Sequence, residues 1–403
     1  MARPKPIILV LMGGYWPSHE ATGPNQNLKH MLSALADDFT FKVVARDRPP
    51  GAPIASAPCD SWVDQETAQV RYCPVSLYGA RGLATILRST PHDVLALNGF
   101  FDREFTIPTL LLRRLGLVPR MPTILSVHGE MGAGALRLKS GRKQTYLAFS
   151  RQTGLLRDVW MHATSEHEAN DIAAQRLMTS GLLRAPNLCR LVSPARISAN
   201  TDQGGHGIRL VFVGRIARVK NLDFAITVLR DVRTPVTFEI FGPAVEPDYW
   251  SAIQEQIVRL PPHIRVHHRG EIANDDVPDR IAGADAFFLP TLGENFGHAI
   301  FEALSCGVPV LISDRTPWRS LEDQSAGWSL PLDKPQAFVS AVERFAAISS
   351  QERAVFSAGA RALAERFVAT SDSTAAARRM FETVLSQDAA TYSVDASRPM
   401  AAE

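Results

Sequence analysis

The 403-residue chain contains 45% hydrophobic and 21% charged residues, a composition typical of a soluble globular protein and unlike that of disordered or collagen-like chains. Its length exceeds that of one ordinary hydrophobic core and therefore predicts two domains. A formal net charge of +2 argues against a chain-wide nucleic-acid surface, so an anionic ligand must be met by local positive charge.

The first half of the chain alternates short β-rich runs with helical patterns. Strands are predicted at 7–12, 41–45, 94–97 and 123–127, and helices at 25–36 and 107–115. Strands that are apolar at nearly every position indicate a parallel sheet covered on both faces. This half is therefore predicted to be a doubly wound α/β domain.

The alternation restarts after residues 199–207, a glycine-containing segment that predicts a linker. Strands are predicted at 209–213, 236–241, 264–268, 286–289 and 308–313, alternating with helices at 222–232, 249–260, 277–282 and 297–305. Further helices are predicted at 337–347, 353–367 and 375–385. The predicted organisation is two Rossmann-like domains, 1–200 and 201–370, then a helix at 371–388 and a disordered tail at 389–403.

The cysteines and the apolar runs indicate a reduced, soluble protein. Cys59, Cys73, Cys189 and Cys306 are scattered without a CxxC pair, as packing thiols of intracellular proteins are. The apolar run near the start is too short for a signal peptide, and no run reaches the roughly 18 to 20 residues of a membrane span. We expect a cytoplasmic protein.

The strongest chemical signal lies directly after the strand at 286–289. Glu294, Asn295, Phe296 and Gly297 open a helix there, and the amides of Phe296 and Gly297 would favour a phosphate at the helix start. Glu302 lies among apolar neighbours in that helix, where a carboxylate costs several kcal/mol unless it is hydrogen-bonded. Ribose hydroxyls would satisfy it; a core arginine is the alternative partner.

A second signal follows the strand at 209–213, where Arg215, Arg218 and Lys220 precede a helix. Cations at a strand end of an α/β sheet face its binding crevice. The planar guanidinium of Arg215 suits a pyrophosphate, and Lys220 supplies a point charge for a leaving group. The alternative is a solvated loop with scattered positive charge.

Glu294 and Glu302 are separated by seven residues, and this pair resembles the E-x7-E motif of glycosyltransferase family 4. The flanking runs 284–291 and 306–314 are similar to that family's pattern, and the resemblance extends over nearly the whole chain. It implies a GT-B fold, a C-terminal helix that returns to the first domain, and retention of anomeric configuration. In the family, the first glutamate contacts the donor sugar, the second contacts the ribose, and a matching Arg and Lys bind the diphosphate.

The first domain carries the remaining candidates. Gly13 and Gly14 follow a strand and would let the backbone approach a ligand closely, although neither forms a GxGxxG fingerprint. The resemblance places such a loop near the diphosphate and the acceptor, which implies acceptor contacts for Tyr15, Trp16 and His19. His128 follows the strand at 123–127 and could bond a donor hydroxyl or move a proton, or be structural. Residues 162–166 are similar to the family's strand-end marker.

The stretch 135–160 is basic and amphipathic, which is compatible with an anionic membrane surface, a lipid-pyrophosphate acceptor or an exposed cover helix. No D-x-D motif stands at a strand end in either half, so we expect neither a cofactor nor a required metal.

The sequence therefore predicts a retaining hexosyltransferase that uses a UDP- or GDP-sugar and a glycan or lipid-linked acceptor. Polysaccharide assembly is the setting that the resemblance implies, with peripheral contact at the inner face of the cell membrane. Two alternatives remain open, namely a nucleotide-sugar epimerase of GT-B build and a non-catalytic nucleotide-sugar-binding module. A glycoside hydrolase would leave the cations unexplained.

Overall fold

The structure is a computed structural model that describes residues 4–16, 23–49, 54–57, 60–137, 140–192 and 207–395. The chain forms two compact units. Unit 1 consists of Met1–Leu188 and Ser371–Glu403, and unit 2 of Cys189–Thr370. His19, Cys59 and residues 199–206 of the predicted linker lie outside the described residues.

Unit 1 is an eight-stranded sheet with the order β3-β4-β2-β1-β5-β6-β7-β8. All neighbouring strands are parallel except β3 and β4. The strands are β1 Ile7–Leu11, β2 Thr40–Arg46, β3 Trp62–Asp64, β4 Gln69–Cys73, β5 Val94–Asn98, β6 Thr123–Ser126, β7 Val159–Ala163 and β8 Gly181–Arg184. The helices are α1 Gly23–Leu35, α2 Ala80–Ser89, α3 Thr106–Arg114, α4 Ala133–Arg137, α5 Ser140–Thr153 and α6 Glu166–Ala174.

The central strands β1 and β5 of this sheet are apolar at nearly every position, and helices cover both of their faces. In β1, Ile8 and Val10 belong to the core on one face, whereas Leu9 and Leu11 belong to the core on the other. This alternation is the two-residue period of a β-strand. Leu28 and Leu32 of α1 pack on the first face, and Leu110 of α3 packs on the second.

Unit 2 is a six-stranded parallel sheet with the order β11-β10-β9-β12-β13-β14. The strands are β9 Ile208–Val213, β10 Val236–Phe241, β11 Ile264–Gly270, β12 Ala286–Leu289, β13 Val310–Ser313 and β14 Gly327–Leu330. The helices are α7 Leu222–Arg230, α8 Pro247–Val258, α9 Val277–Ala282, α10 His298–Ser305, α11 Pro335–Ala347 and α12 Ser350–Thr370. Numbered within the unit, the strand order is 3-2-1-4-5-6, that of a Rossmann fold. The predicted fold class of two Rossmann-like α/β domains is confirmed.

The chain ends with α13, Ser373–Asp395, which belongs to unit 1 although it follows unit 2 in sequence. Phe381 of α13 is 1% exposed and lies against Phe39 and Phe41, at ring-centroid distances of 5.3 and 6.1 Å. Arg378 forms an ion pair of 2.8 Å with Asp38. The helix extends into the segment 389–403 that was expected to be disordered, since Ala389 and Ala390 favour helix.

Several elements differ from the sequence expectations. The stretch 135–160 is not one amphipathic element, because it contains the end of α4, all of α5 and the first residues of β7. The strand expected at 308–313 begins after Pro309, which has no backbone N–H to give to a ladder. No helix in the described ranges is long and apolar enough to cross a membrane.

Replacing Phe381 by Ala tests the assignment of α13 to unit 1. We expect a loss of about 3–5 kcal/mol in stability, because the change leaves a cavity in a filled core. Hydrogen exchange read by mass spectrometry should show lost protection in β1 and β2, with β9 and β10 unaffected. Phe149→Ala is the matched control, because Phe149 is 41% exposed on α5. Unchanged protection of β1 in Phe381→Ala would contradict the assignment.

Candidate functional site

In unit 2 the candidate residues follow β9 and β12, the neighbouring strands at which the strand order reverses. Open α/β sheets bind ligands at this point, beyond the carboxyl ends of the strands. Hydrogen bonds join the loops that follow these strands, and one of them runs from the Thr291 hydroxyl to the Val219 carbonyl at 2.9 Å. Leu292 N donates to the Val219 carbonyl at 2.8 Å, and Asn221 Nδ2 donates to the Pro290 carbonyl at 2.9 Å. The two loops therefore hold their side chains in fixed positions.

Lys220 and Glu294, both predicted catalytic residues, form an ion pair across these loops. Lys220 Nζ lies 2.6 Å from Glu294 Oε1, and the two side chains are only 20% and 12% exposed. Asn221 follows Lys220 with a left-handed backbone, φ 59°, which turns the chain into α7. A mostly buried pair needs its partners to remain together, because either charge left alone would be costly.

The carboxylate of Glu302 has no partner among the described residues. Its side chain lies among residues of unit 2 and is partly exposed. No group among the described residues donates a hydrogen bond to its carboxylate. Burial raises the pKa of this carboxyl to about 7. Its charge in turn helps burial to raise the pKa of the nearby Cys306 thiol to about 12. Glu302 thus has accepting capacity that a ligand with hydroxyl groups could use.

The start of α10 offers free amides at Phe296 and Gly297. Gly297 precedes the helix with φ 82°, and a Cβ there would lie 2.8 Å from Ile300 Cδ1, so only glycine fits without movement. The Phe296 carbonyl accepts from Trp318 Nε1 at 2.7 Å, which fixes the turn. No described group accepts from the N–H groups of Phe296 and Gly297. Asn295 is half-buried beside them.

The arginines after β9 differ in their surroundings. Arg218 lies 3.4 Å from Glu246 and over the ring of Tyr249, so local contacts account for it. Arg215 is exposed, and within the described residues no carboxylate pairs with it. Arg215 is therefore the cation of this loop that remains available to an anion.

In unit 1, Gly13 and Gly14 follow β1. A Cβ at Gly13 would lie 3.3 Å from Asp102 Oδ2 and 3.4 Å from the Arg46 guanidinium, so a charged group lies directly below this loop. Arg46 pairs with Glu104, and burial raises the pKa of Asp102. Arg46, Asp102 and Glu104 carry no sequence motif that would mark them as site residues.

The predicted acceptor residues have different surroundings. Tyr15 is 3% exposed in the core of unit 1, where burial raises its pKa to about 12. Trp16 is half-buried with Lys29 Nζ 4.9 Å from its ring centroid. Of these two side chains, Trp16 is the one with surface available for a ligand.

His128 lies beyond β6 with a left-handed backbone, φ 50°, which is uncommon for a residue other than glycine. Its Nε2 lies 2.9 Å from Asn98 Oδ1. Burial lowers the pKa of His128 to about 4, an effect that nearby Glu168 opposes and nearby His162 reinforces. The ring lines a pocket of ≈ 380 Å³, counted with the space at its mouth, together with Asn98, Ser126 and His162.

Glu168 was not predicted from the sequence, although it accepts a hydrogen bond from Gly129, the residue that follows His128. Glu168, 2% exposed, accepts hydrogen bonds from the Gly129 N–H and from the Thr164 N–H and hydroxyl, the latter two at 2.6 and 2.7 Å. Ser165 Oγ in turn accepts from Glu168 N at 3.1 Å. The spacing Ser-x-x-Glu of a capping box was the available signal.

No group of three or more His, Cys, Asp or Glu side chains among the described residues could hold a metal ion. Of the described cysteines, Cys73 is buried and Cys189 and Cys306 are half-buried.

Two doubly wound units with their polar residues at strand ends are the architecture of the GT-B glycosyltransferases. Solved structures with this fold cover nearly the whole chain. Sucrose-phosphate synthase from Thermosynechococcus elongatus superposes with a TM-score of 0.71 at 16% identity, covering 96% of this chain and 100% of that one. HepE of Anabaena, in complex with UDP-glucose, gives 0.69 at 18%, covering 94% and 100%. WaaG, a glycosyltransferase involved in lipopolysaccharide biosynthesis, gives 0.64 at 14%, covering 94% and 99%.

Residues 207–347, within unit 2, match the family model described as glycosyl transferases group 1. O-antigen chain mannosyltransferase B of Escherichia coli is 41% identical over 51 residues, which is 13% of this chain and 13% of the length of that relative. The matched domain and the fold together support a hexosyltransferase.

The pKa of Glu302 generates a prediction about stability. Because its folded-state pKa is raised from 4.5 to about 7, the folded protein binds the proton more tightly, and stability falls as pH rises through that window. Glu302→Gln removes the ionised form and should stabilise the ligand-free protein by roughly 1–3 kcal/mol above pH 8. The difference should disappear near pH 4.

Urea unfolding of both proteins between pH 4 and 9 measures this difference. Glu365→Gln is the control, because Glu365 lies on the exposed side of α12 with Arg361. A Glu302→Gln variant that is no more stable than wild type at pH 8.5 would show that the carboxylate has an unseen partner.

Proposed function

We propose that this protein is a retaining glycosyltransferase that moves a hexosyl unit from a UDP- or GDP-sugar to a glycan or lipid-linked acceptor. The observation that carries the proposal is the set of groups after β9 and β12. An available guanidinium (Arg215), a Lys220–Glu294 pair, free amides at Phe296 and Gly297, and a carboxylate without a donor (Glu302) occur together there. Cations and amides suit a diphosphate, and a carboxylate suits vicinal hydroxyls.

In the proposed reaction the bond between the anomeric carbon and the β-phosphate oxygen breaks, and a bond to the acceptor oxygen forms on the same face. Arg215, Lys220 and the α10 amides stabilise the charge that develops on the leaving diphosphate. Glu294 orients the donor sugar, Glu302 accepts from the ribose hydroxyls, and His128 contacts a hydroxyl. The acceptor proton passes to the leaving phosphate, so no separate base is needed.

The comparisons supply support for the donor and the setting. HepE was solved with UDP-glucose, and the matched mannosyltransferase and WaaG act in O-antigen and lipopolysaccharide synthesis. We therefore infer polysaccharide assembly as the setting. Peripheral contact with an anionic membrane remains a prediction from the sequence, with exposed Arg142 and Arg151 on α5 as its candidate residues.

Donor binding is tested by thermal shift against a panel of UDP- and GDP-sugars. We expect one donor class to stabilise the protein, and the shift to vanish in Arg215→Ala and Glu302→Ala, because each removes a distinct ligand contact. The loss of one charge-assisted hydrogen bond corresponds to roughly a tenfold or greater loss of affinity. Arg218→Ala is the matched control, since Arg218 is already paired with Glu246.

No response to any sugar nucleotide would overturn the proposal. Product analysis with the best donor then separates the remaining functions. A glycoside with the donor's anomeric configuration supports transfer, a free epimer indicates an epimerase, and binding without turnover indicates a binding module.

Transfer is also expected to be independent of metal. In the proposed mechanism Arg215 and Lys220 stabilise the negative charge of the leaving diphosphate. The turnover rate should therefore change less than about twofold on adding excess EDTA. Initial rates before and after chelation, then after adding Mg²⁺ or Mn²⁺, measure this. A loss of activity that either cation restores would show that a metal takes part.

A further inference from the structure

We propose that Asn98 is a positioning residue that fixes the imidazole of His128 in the tautomer protonated at Nε2, so that Nδ1 accepts a hydrogen bond from a substrate hydroxyl. This inference rests on the proposed function, which places His128 at the substrate. It goes further by specifying that His128 Nδ1 is a hydrogen-bond acceptor toward the substrate. His128 would select an uncharged hydroxyl of the sugar or acceptor and would not attract a phosphate.

The orientation of the Asn98 amide carries the argument. Asn98 Nδ2 donates to the Leu11 carbonyl at 3.3 Å, and Asn98 Oδ1 lies 2.9 Å from His128 Nε2. The reverse orientation would bring two acceptor oxygens together at Leu11. Because an amide oxygen can only accept, the Nε2 of His128 must be the donor. The proton of a neutral ring is then on Nε2, and Nδ1 keeps its lone pair.

The backbone holds Asn98 in place for this role. Asn98 is the last residue of β5 and pairs in register with Ser126 of β6. Gly99 N donates to the Ser126 carbonyl at 2.9 Å, and the Thr106 hydroxyl donates to the Asn98 carbonyl at 3.3 Å. A side chain presented from a sheet can orient a partner more closely than one on a free loop.

The charge state of His128 depends on the groups around it. Burial favours the neutral ring, while Glu168, which accepts from the Gly129 N–H, favours the imidazolium. His162 opposes a second positive charge, and both of its ring nitrogens are used, by Ser126 Oγ at 2.7 Å and the Ala185 carbonyl at 2.9 Å. No described group bonds to His128 Nδ1. The neutral ring therefore presents one free acceptor atom.

The tautomer is tested directly by NMR of the full-length protein labelled with ¹⁵N-histidine. The His128 signals are assigned by their loss in His128→Gln, and the ring ¹⁵N shifts report which nitrogen is protonated. We expect Nε2–H in wild type, a mixture of tautomers in Asn98→Leu, and no change in Ser126→Ala, because the Ser126 hydroxyl bonds to His162 and leaves the bond between Asn98 and His128 in place. A protonated Nδ1 in wild type, or an unchanged tautomer in Asn98→Leu, would overturn the proposal.

Asn98→Asp separates positioning from a structural role. The introduced carboxylate stabilises the imidazolium, so His128 should titrate at a higher pH than in wild type, and the acidic limb of the pH–rate profile should move with it. A residue that only supports the fold would lower stability and leave both titrations unmoved, which counts against the proposal.

The rate measurements separate this inference from the proposed function. Asn98→Leu should lower kcat/KM for the sugar donor roughly tenfold, the effect of one hydrogen bond, with the thermal shift by free UDP or GDP retained. If the wild type transfers no sugar, the proposed function fails while the NMR result stands. If transfer occurs and Asn98→Leu is as fast as wild type, the positioning role fails alone.

Discussion

The strand order within each sheet is the constraint on which the candidate site depends. In unit 1 the order reverses between β1 and β5, and in unit 2 between β9 and β12. The helices that follow β1 and β5 pack on opposite faces, as Leu28 and Leu110 show, which leaves the strand ends between them uncovered. The loops that contain Gly13, Lys220 and Glu294 begin at such strand ends, and Asn98 is the last residue of β5. The strand order therefore determines where a ligand can bind, whichever side chains the loops carry.

Some charged residues of unit 2 form ion pairs within the unit, and others have no partner among the described residues. Lys220 and Glu294 neutralise each other, and Arg218 is paired with Glu246. Arg215 and Glu302 are without partners among the described residues, although they differ in exposure. A mostly buried carboxylate without a donor lowers stability, so its presence is easier to explain by a ligand than by folding. This distinction supports Glu302 more strongly than its position in a motif does.

The sequence predicted the long periodic elements, and it failed where the pattern is weak. The apolar strand at 236–241 was predicted with its observed bounds, because burial on both faces leaves a continuous signal. β3, β4 and β8 were missed since they lie at or beside a sheet edge and carry polar residues such as Gln69 and Arg71. The roles of Asn98 and Glu168 could not be predicted, because their contacts join residues 30 and 39 positions away.

Burial acts in opposite directions on one candidate residue of each unit, the carboxyl group of Glu302 and the imidazole of His128. It raises the pKa of Glu302 to about 7 and lowers that of His128 to about 4, so near neutral pH His128 is uncharged and a large share of Glu302 keeps its proton in the ligand-free protein. Hydroxyl donors would stabilise the carboxylate of Glu302 and leave neutral His128 unchanged. In the proposed function, sugar-nucleotide binding is therefore linked to proton release from Glu302, and its affinity rises with pH through the pKa of that one carboxyl.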